Sequence, residues 1–248
     1  MNNKHAIHKQ LTTHYSLLTN FAFTLAETLI VMGIIGVVAA LTLPNLNSST
    51  GDKEKVVKVK KVYQNLNDAM GRAVAVYGPV EDWFVNDANA TAQITRVGER
   101  LTEFMKLSKN CKMTKGCYTS GSGTSSYDYE FILADGTSVQ IYGNKTNISF
   151  TIDIDGITKG KNILGYDRFY FHSSENNRYD LLPGDSTPMT DGASTVLACC
   201  SVNIGMGLCS KWVIDYDNMD YLKLDSSGKC PNGTALNVIA NPPVVSCK

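Results

Sequence analysis

FTLAETLIVMGIIGVVAALTL, residues 23–43, holds a single ionisable side chain, Glu27, in 21 positions, and its reading decides the fold. As a helix rising about 1.5 Å per residue it covers roughly 31 Å, the depth of a bilayer core of about 30 Å. Hydropathy therefore predicts a segment able to span a membrane. Upstream, residues 1–22 carry Lys4, Lys9 and three of the four histidines but no acid, a composition that suits retention on the cytoplasmic side. Downstream, Lys53, Lys55, Lys58, Lys60 and Lys61 are opposed only by Asp52 and Glu54, so counting positive charges does not orient the segment.

Glu27 is the informative residue, because a carboxylate in an apolar run is costly without compensation. A cut between Ala22 and Phe23 would create an α-amine four residues before it, at the positive end of a helix, where a carboxylate is also favoured. The alternatives are that Glu27 satisfies its own helix N-terminus or sits at headgroup depth. A second cleavage reading also stands: Val38-Ala39-Ala40 could serve an ordinary signal peptidase and release a chain starting at Leu41. The acid at the head of the apolar run and the distance from Lys9 argue against it.

Ala22, then Phe23-Thr24-Leu25-Ala26-Glu27, an apolar run and Pro44 together resemble the type IV prepilin cleavage and methylation motif. Counted from Phe23, Glu27 is the fifth residue and Pro44 the twenty-second. The resemblance implies cleavage after Ala22 by a prepilin peptidase, N-methylation of Phe23, and an assembly role for Phe23, Glu27 and Pro44, with Glu27 pairing with the amine of a neighbouring subunit. Ala22 stands where glycine is commoner in that family, and the leader is longer than its shortest examples.

Beyond the motif, apolar residues recur at Val56, Val59, Tyr63, Leu66, Met70, Ala73 and Tyr77 in alternating steps of three and four, a helical stripe closed by Gly78-Pro79. The polar stretch 45–52, with Gly51, is expected to loosen the helix. A short helix is predicted over 97–106. Tyr127, Tyr129, Phe131 and Leu133 alternate with Asp128 and Glu130. Val139 and Ile141 alternate on a return strand, as do Ile148, Phe150, Ile152 and Ile154 on the next. Asp135-Gly136 and Gly143-Asn144 read as turns, and 168–172 as a further strand. These are expected to be half-buried antiparallel strands. The expected fold is α+β: a leader at 1–22, an apolar helix at 23–43 in a membrane or filament core, an amphipathic continuation at 44–79, and a globular head at 80–248 with a disulfide-stapled C-terminal region.

Apolar content of 43% and charged content of 19% place the chain among globular proteins. Acids and bases balance at 23 each; loss of Lys4 and Lys9 with the leader leaves 21 bases against 23 acids, formally −2. No bulk charge argues for nucleic acid. Seven cysteines, Cys111, Cys117, Cys199, Cys200, Cys209, Cys230 and Cys247, include no CxxC pair and read as disulfide partners in an oxidising space. Closeness in sequence favours Cys111 with Cys117, Cys199 or Cys200 with Cys209, and Cys230 with Cys247.

His172 is the only histidine after Ala22, and no Walker loop, GxSxG, HExxH or dinucleotide fingerprint is present, so the expectation is a non-enzyme without a cofactor. Asp153, Asp155 and Asp167 could offer oxygen ligands to Ca²⁺, but Ile157 occupies an EF-hand ligand position and no closing glutamate follows; Asx turns are the plainer reading. The stretch 153–171 resembles a turn-and-strand pattern of type II secretion pseudopilins, whose major members bind calcium. The resemblance thus implies a structural subunit of a periplasmic type II secretion pseudopilus. The alternative is a pilin or minor pilin of a type IV pilus, acting in adhesion, motility or DNA uptake. The implied partners are a prepilin peptidase, identical or related subunits in a helical filament, and an inner-membrane assembly platform. The implied location is the bacterial inner membrane, single-pass, with the head in the periplasm, and then a periplasmic or surface filament.

Overall fold

The computed structural model describes residues 24–84, 89–119, 128–183, 208–238 and 240–247. Helix α1, Leu25–Tyr77, begins in one compact unit, Met1–Asn47, and ends in a second, Ser48–Lys248. The polar stretch expected to loosen it does not break it.

In the second unit α1 buries Val56, Val59, Val62, Leu66, Ala69, Met70 and Ala73. This is the expected stripe widened by Val62 and Ala69, with Tyr63 and Tyr77 half-buried at its borders. A 3-10 turn, Val80–Phe84, tucks in Trp83, whose indole Nε1–H donates to the Gly78 carbonyl at 2.9 Å. Helix α2, Ala90–Thr102, begins upstream of the predicted span 97–106 and overlaps its first part; the side chain of Asn89 caps it by accepting from the Thr91 amide, the ordinary way an asparagine satisfies a free helix donor.

Six strands follow one another as a single antiparallel meander: β1 Leu107–Lys112, β2 Tyr129–Leu133, β3 Ser138–Asn144, β4 Asn147–Asp153, β5 Arg168–Ser174 and β6 Leu182–Pro183. Register aligns Phe131, Val139, Ile152 and Phe169 across four strands, and Tyr129, Ile141, Phe150 and Phe171 beside them. These rows share a core with α1 and α2. Tyr63 of α1 stacks on Phe171 at 5.3 Å. On α2, a Cβ at Gly98 would stand 2.3 Å from the Tyr129 ring, so only glycine lets that ring reach the helix. The Asp135-Gly136 turn joins β2 to β3 as expected. The next turn is Lys145-Thr146, not Gly143-Asn144: Gly143 lies within β3 at φ +118, where a Cβ would strike the Asn147 carbonyl oxygen.

The strands are not half-exposed. On the face opposite the core rows, Glu130, Ser138, Gln140, Ser149, Asp153, Arg168 and His172 are all buried, and over Glu130 and Arg168 the cover is the Cys111–Cys117 loop with Tyr118. Helix α3, Leu208–Tyr216, reaches the other end of the sheet: Ser210 Oγ accepts the Tyr170 amide at 2.8 Å. The terminal stretch is tied by Asn218 to the Val245 carbonyl, by the Cys247 amide to Asp220, and by the Cys230–Cys247 disulfide.

Two expectations are overturned. The expected α+β arrangement, with a membrane-spanning apolar half of the N-terminal helix and a disulfide-stapled C-terminal region, is corrected to helices with a six-stranded antiparallel sheet. Its disulfides stand both at Cys230–Cys247 and, before β2, at Cys111–Cys117. The single-pass inner-membrane placement is corrected too, since among the described residues no helix is long and apolar enough to cross a membrane. Only the first part of α1 is apolar. Past residue 44 the same helix is rich in Asn, Ser and Lys.

Candidate assembly surface

Thr24 and Glu27 form a reciprocal cap at the start of α1. Glu27 Oε2 accepts from the Thr24 amide at 2.8 Å and the Thr24 hydroxyl at 2.9 Å, while Thr24 Oγ1 accepts from the Glu27 amide at 3.2 Å. This is a capping box, in which two otherwise orphaned amides satisfy each other's side chains. The carboxylate is thus held at the helix mouth, the position that local physics alone allowed for Glu27. Its Thr-x-x-Glu signature is written in residues 24–27, a signal that the sequence reading did not use. Ala22 and Phe23 lie outside the described residues, and Pro44 falls within α1.

Beyond the cap the helix is apolar on every side. Leu25, Leu29, Ile30, Val31, Met32, Ile34, Ile35, Val37 and Val38 are each more than half exposed. A soluble amphipathic helix hides such residues along one stripe and turns a polar face outward; this stretch has no polar face. At 100° per residue, positions 29–32 alone point in every direction around the axis. Burying it therefore requires cover from all sides, and a contiguous apolar surface of this kind marks an interaction site.

The predicted acidic residues are brought near one another, and two of them, Asp153 and Asp167, are already engaged. Asp153 Oδ2 accepts from Arg168 Nε at 3.1 Å, and Oδ1 accepts from the Gly156 amide at 3.1 Å. Burial pushes the Asp153 carboxyl up to about 6, outweighing the opposing pull of the Arg168 guanidinium. Asp167 accepts the amides of Lys161, Asn162 and Ile163. Asp155 and Asp167 both approach Gly160, where a Cβ would lie 2.6 Å from an oxygen of each. Amide and guanidinium donors thus meet the oxygens of Asp153 and Asp167, while Asp155 Oδ1 is buried without a hydrogen-bond partner. Among the described residues no group of three or more His, Cys, Asp or Glu could hold a metal ion.

Sequence reading passed over a second acidic cluster. Glu130 is fully buried, and its Oε2 accepts three successive amides, those of Gly116, Cys117 and Tyr118, at 3.0 to 3.1 Å. Lys115 Nζ stands 3.1 Å from Glu130 Oε1 and 2.7 Å from Asp128 Oδ2. Gln140 Nε2 donates to Asp128 at 3.0 Å. Alternation with Tyr129 and Phe131 marked these acids as outward-facing, and no apolar periodicity announces the loop that covers them.

Cys111 is bonded to Cys117 and Cys230 to Cys247. Cys209 is disulfide-bonded as well, while Cys199 and Cys200 lie outside the described residues. A groove of about 560 Å³ beside α1 sets Lys61 and Arg72 against Asp68 and Asp135, with Phe104 and Met105 between them. Its lining residues pair no nucleophile with a base. His172 is buried in β5 and stacks on Tyr170.

Compared with protein-family models, characterised proteins and solved structures, the chain has no match.

Proposed function

We propose that this chain is a structural subunit of a helical filament of the type IV pilin-like class, a type II secretion pseudopilus being the favoured setting. The observation that carries the reading is the helical segment 25–40, apolar on all sides, exposed, and headed by a capped carboxylate. A surface with no polar face is covered most completely by several like helices. Copies of the same segment supply apolar cover in every direction, and helix packing replaces whatever the segment contacted before assembly.

In this reading a prepilin peptidase cuts between Ala22 and Phe23 and methylates Phe23. The freed amine carries positive charge to the helix mouth. The Thr24 cap presents Glu27 there as the acceptor for a neighbouring subunit's amine, and an assembly platform adds subunits one at a time. The action is physical: burial and charge pairing, with no bond chemistry performed by this chain. A pilin or minor pilin of a type IV pilus is the second reading, favoured by a head tied with disulfides at both Cys111–Cys117 and Cys230–Cys247.

The test has two parts. Mass analysis of the N-terminal peptide is expected to find Phe23 as the first residue and methylated; a start at Leu41 would sink the proposal. Glu27→Ala is expected to be cleaved normally yet to be lost from filaments. Incorporation equal to that of the unsubstituted chain would remove the pairing from the mechanism.

A further inference from the structure

Glu130 takes its hydrogen bonds from one short loop. The three amides that meet Oε2 belong to consecutive residues, 116 to 118, and the cation beside Oε1 is Lys115. The loop is closed by Cys111 and Cys117, six residues apart. Three successive N–H groups converge on one oxygen only while the backbone holds a tight concave bend, and such nests bind anions. Asp128 lies two residues from Glu130 on the same side of the chain, is also buried, and shares Lys115. Two carboxylates at buried positions are tolerated only while their donors stay in place.

The loop does a second thing. Tyr118, immediately after Cys117, is buried over the guanidinium of Arg168 at 4.9 Å, and the next residue, Thr119, accepts from Arg168 Nη2 at 2.7 Å through its carbonyl. One covalent closure thus controls the cover over Glu130 and over the Asp153–Arg168 pair.

We propose that the Cys111–Cys117 loop is a redox-sensitive latch. Closed, it covers the polar face of the sheet; opened by reduction, it withdraws the donors from Glu130 and uncovers that face. The reductant is a dithiol, and Cys111 is the point of attack, being partly accessible while Cys117 is fully buried. A thiolate of the reductant bonds to Cys111 Sγ. The S–S bond breaks, its electron pair leaves on Cys117 Sγ, and that sulfur takes a proton. The reductant's second thiol then displaces Cys111 Sγ, which is protonated in turn, and the reductant departs as a cyclic disulfide. Two electrons pass to the protein.

Hydrogen exchange resolved to single amides on the full chain tests this. Reduction is expected to speed exchange at Gly116, Cys117 and Tyr118 by roughly fiftyfold, the factor that corresponds to releasing so short a closed loop, with β4 amides unchanged. The double variant Cys111→Ser, Cys117→Ser, which leaves the other disulfides intact, is expected to match the reduced protein. Glu130→Gln, with the disulfide kept, is expected to speed the same three amides less than reduction does. Should the serine pair fail to fold, the reduced unsubstituted chain alone decides. Unchanged exchange at the three amides on reduction overturns the latch, and so does acceleration shared equally with β4, which would make the bond a general staple.

Discussion

Ile34→Asn separates assembly from folding. Ile34 is 60% exposed, so replacing it removes little that the free subunit uses; the helix-propensity cost is a few tenths of a kcal/mol. Assembly is different. Fully burying an isoleucine is worth about 1.5–3 kcal/mol, and with three-fifths of the side chain still to be covered, about 1–2 kcal/mol of that is gained only between subunits. The asparagine amide, enclosed among apolar helices, adds a desolvation cost of about 1–3 kcal/mol. The sum, about 2–5 kcal/mol per subunit, raises the concentration of unassembled chain by roughly thirtyfold to several thousandfold, since about 1.4 kcal/mol is a factor of ten. Sedimentation of filaments, with the supernatant concentration measured across a dilution series, reads this directly, and the thermal midpoint of the head serves as the control. An unchanged supernatant concentration would refute burial of this segment by neighbouring copies. A lowered midpoint would show that Ile34 is already used within the subunit.

Gly98→Ala pits helix propensity, which favours alanine by about 1 kcal/mol, against a Cβ placed 2.3 Å from the Tyr129 ring. Overpacking costs about 1–3 kcal/mol, so the urea midpoint is expected to fall, and a rise would mean that the ring has room to move. Trp83→Ala removes a fully buried indole and its bond to Gly78; a loss of about 3–5 kcal/mol is expected, read in urea. Asp153 carries a pH signature. Its carboxyl stands at about 6 in the folded chain against about 3.9 when unfolded, so the stability that it contributes is complete below pH ~4 and is lost as pH rises through ~6, amounting to about 3 kcal/mol. Asp153→Asn is expected to remove that slope, seen as a pH-dependent difference between the urea midpoints of variant and unsubstituted chain; a constant difference from pH 4 to 7 contradicts the assignment.

What the residues announced, and what they hid, follows from how far apart the interacting groups lie. Period-two alternation at Tyr129, Phe131 and Leu133, and again at Ile148, Phe150 and Ile152, is a local signal, and these strands stand where it put them. The same alternation misread Glu130. Polarity indicates that a side chain must be satisfied, and water is only the commonest way to satisfy it; here a loop more than ten residues away supplies amides instead. Thr24 and Glu27 show the converse. Their cap is as local as a signal can be, three residues apart, yet the sequence reading kept satisfaction at the helix's own N-terminus only as an alternative and did not name Thr24. Hydropathy judged residues 23–43 by length and mean character, when the feature that distinguishes the described part is angular. A membrane-spanning reading needs only a long enough apolar run, whereas the proposed filament also uses the capped carboxylate at the helix mouth and a surface with no polar face: like helices would lie alongside, and one positive charge would meet its head.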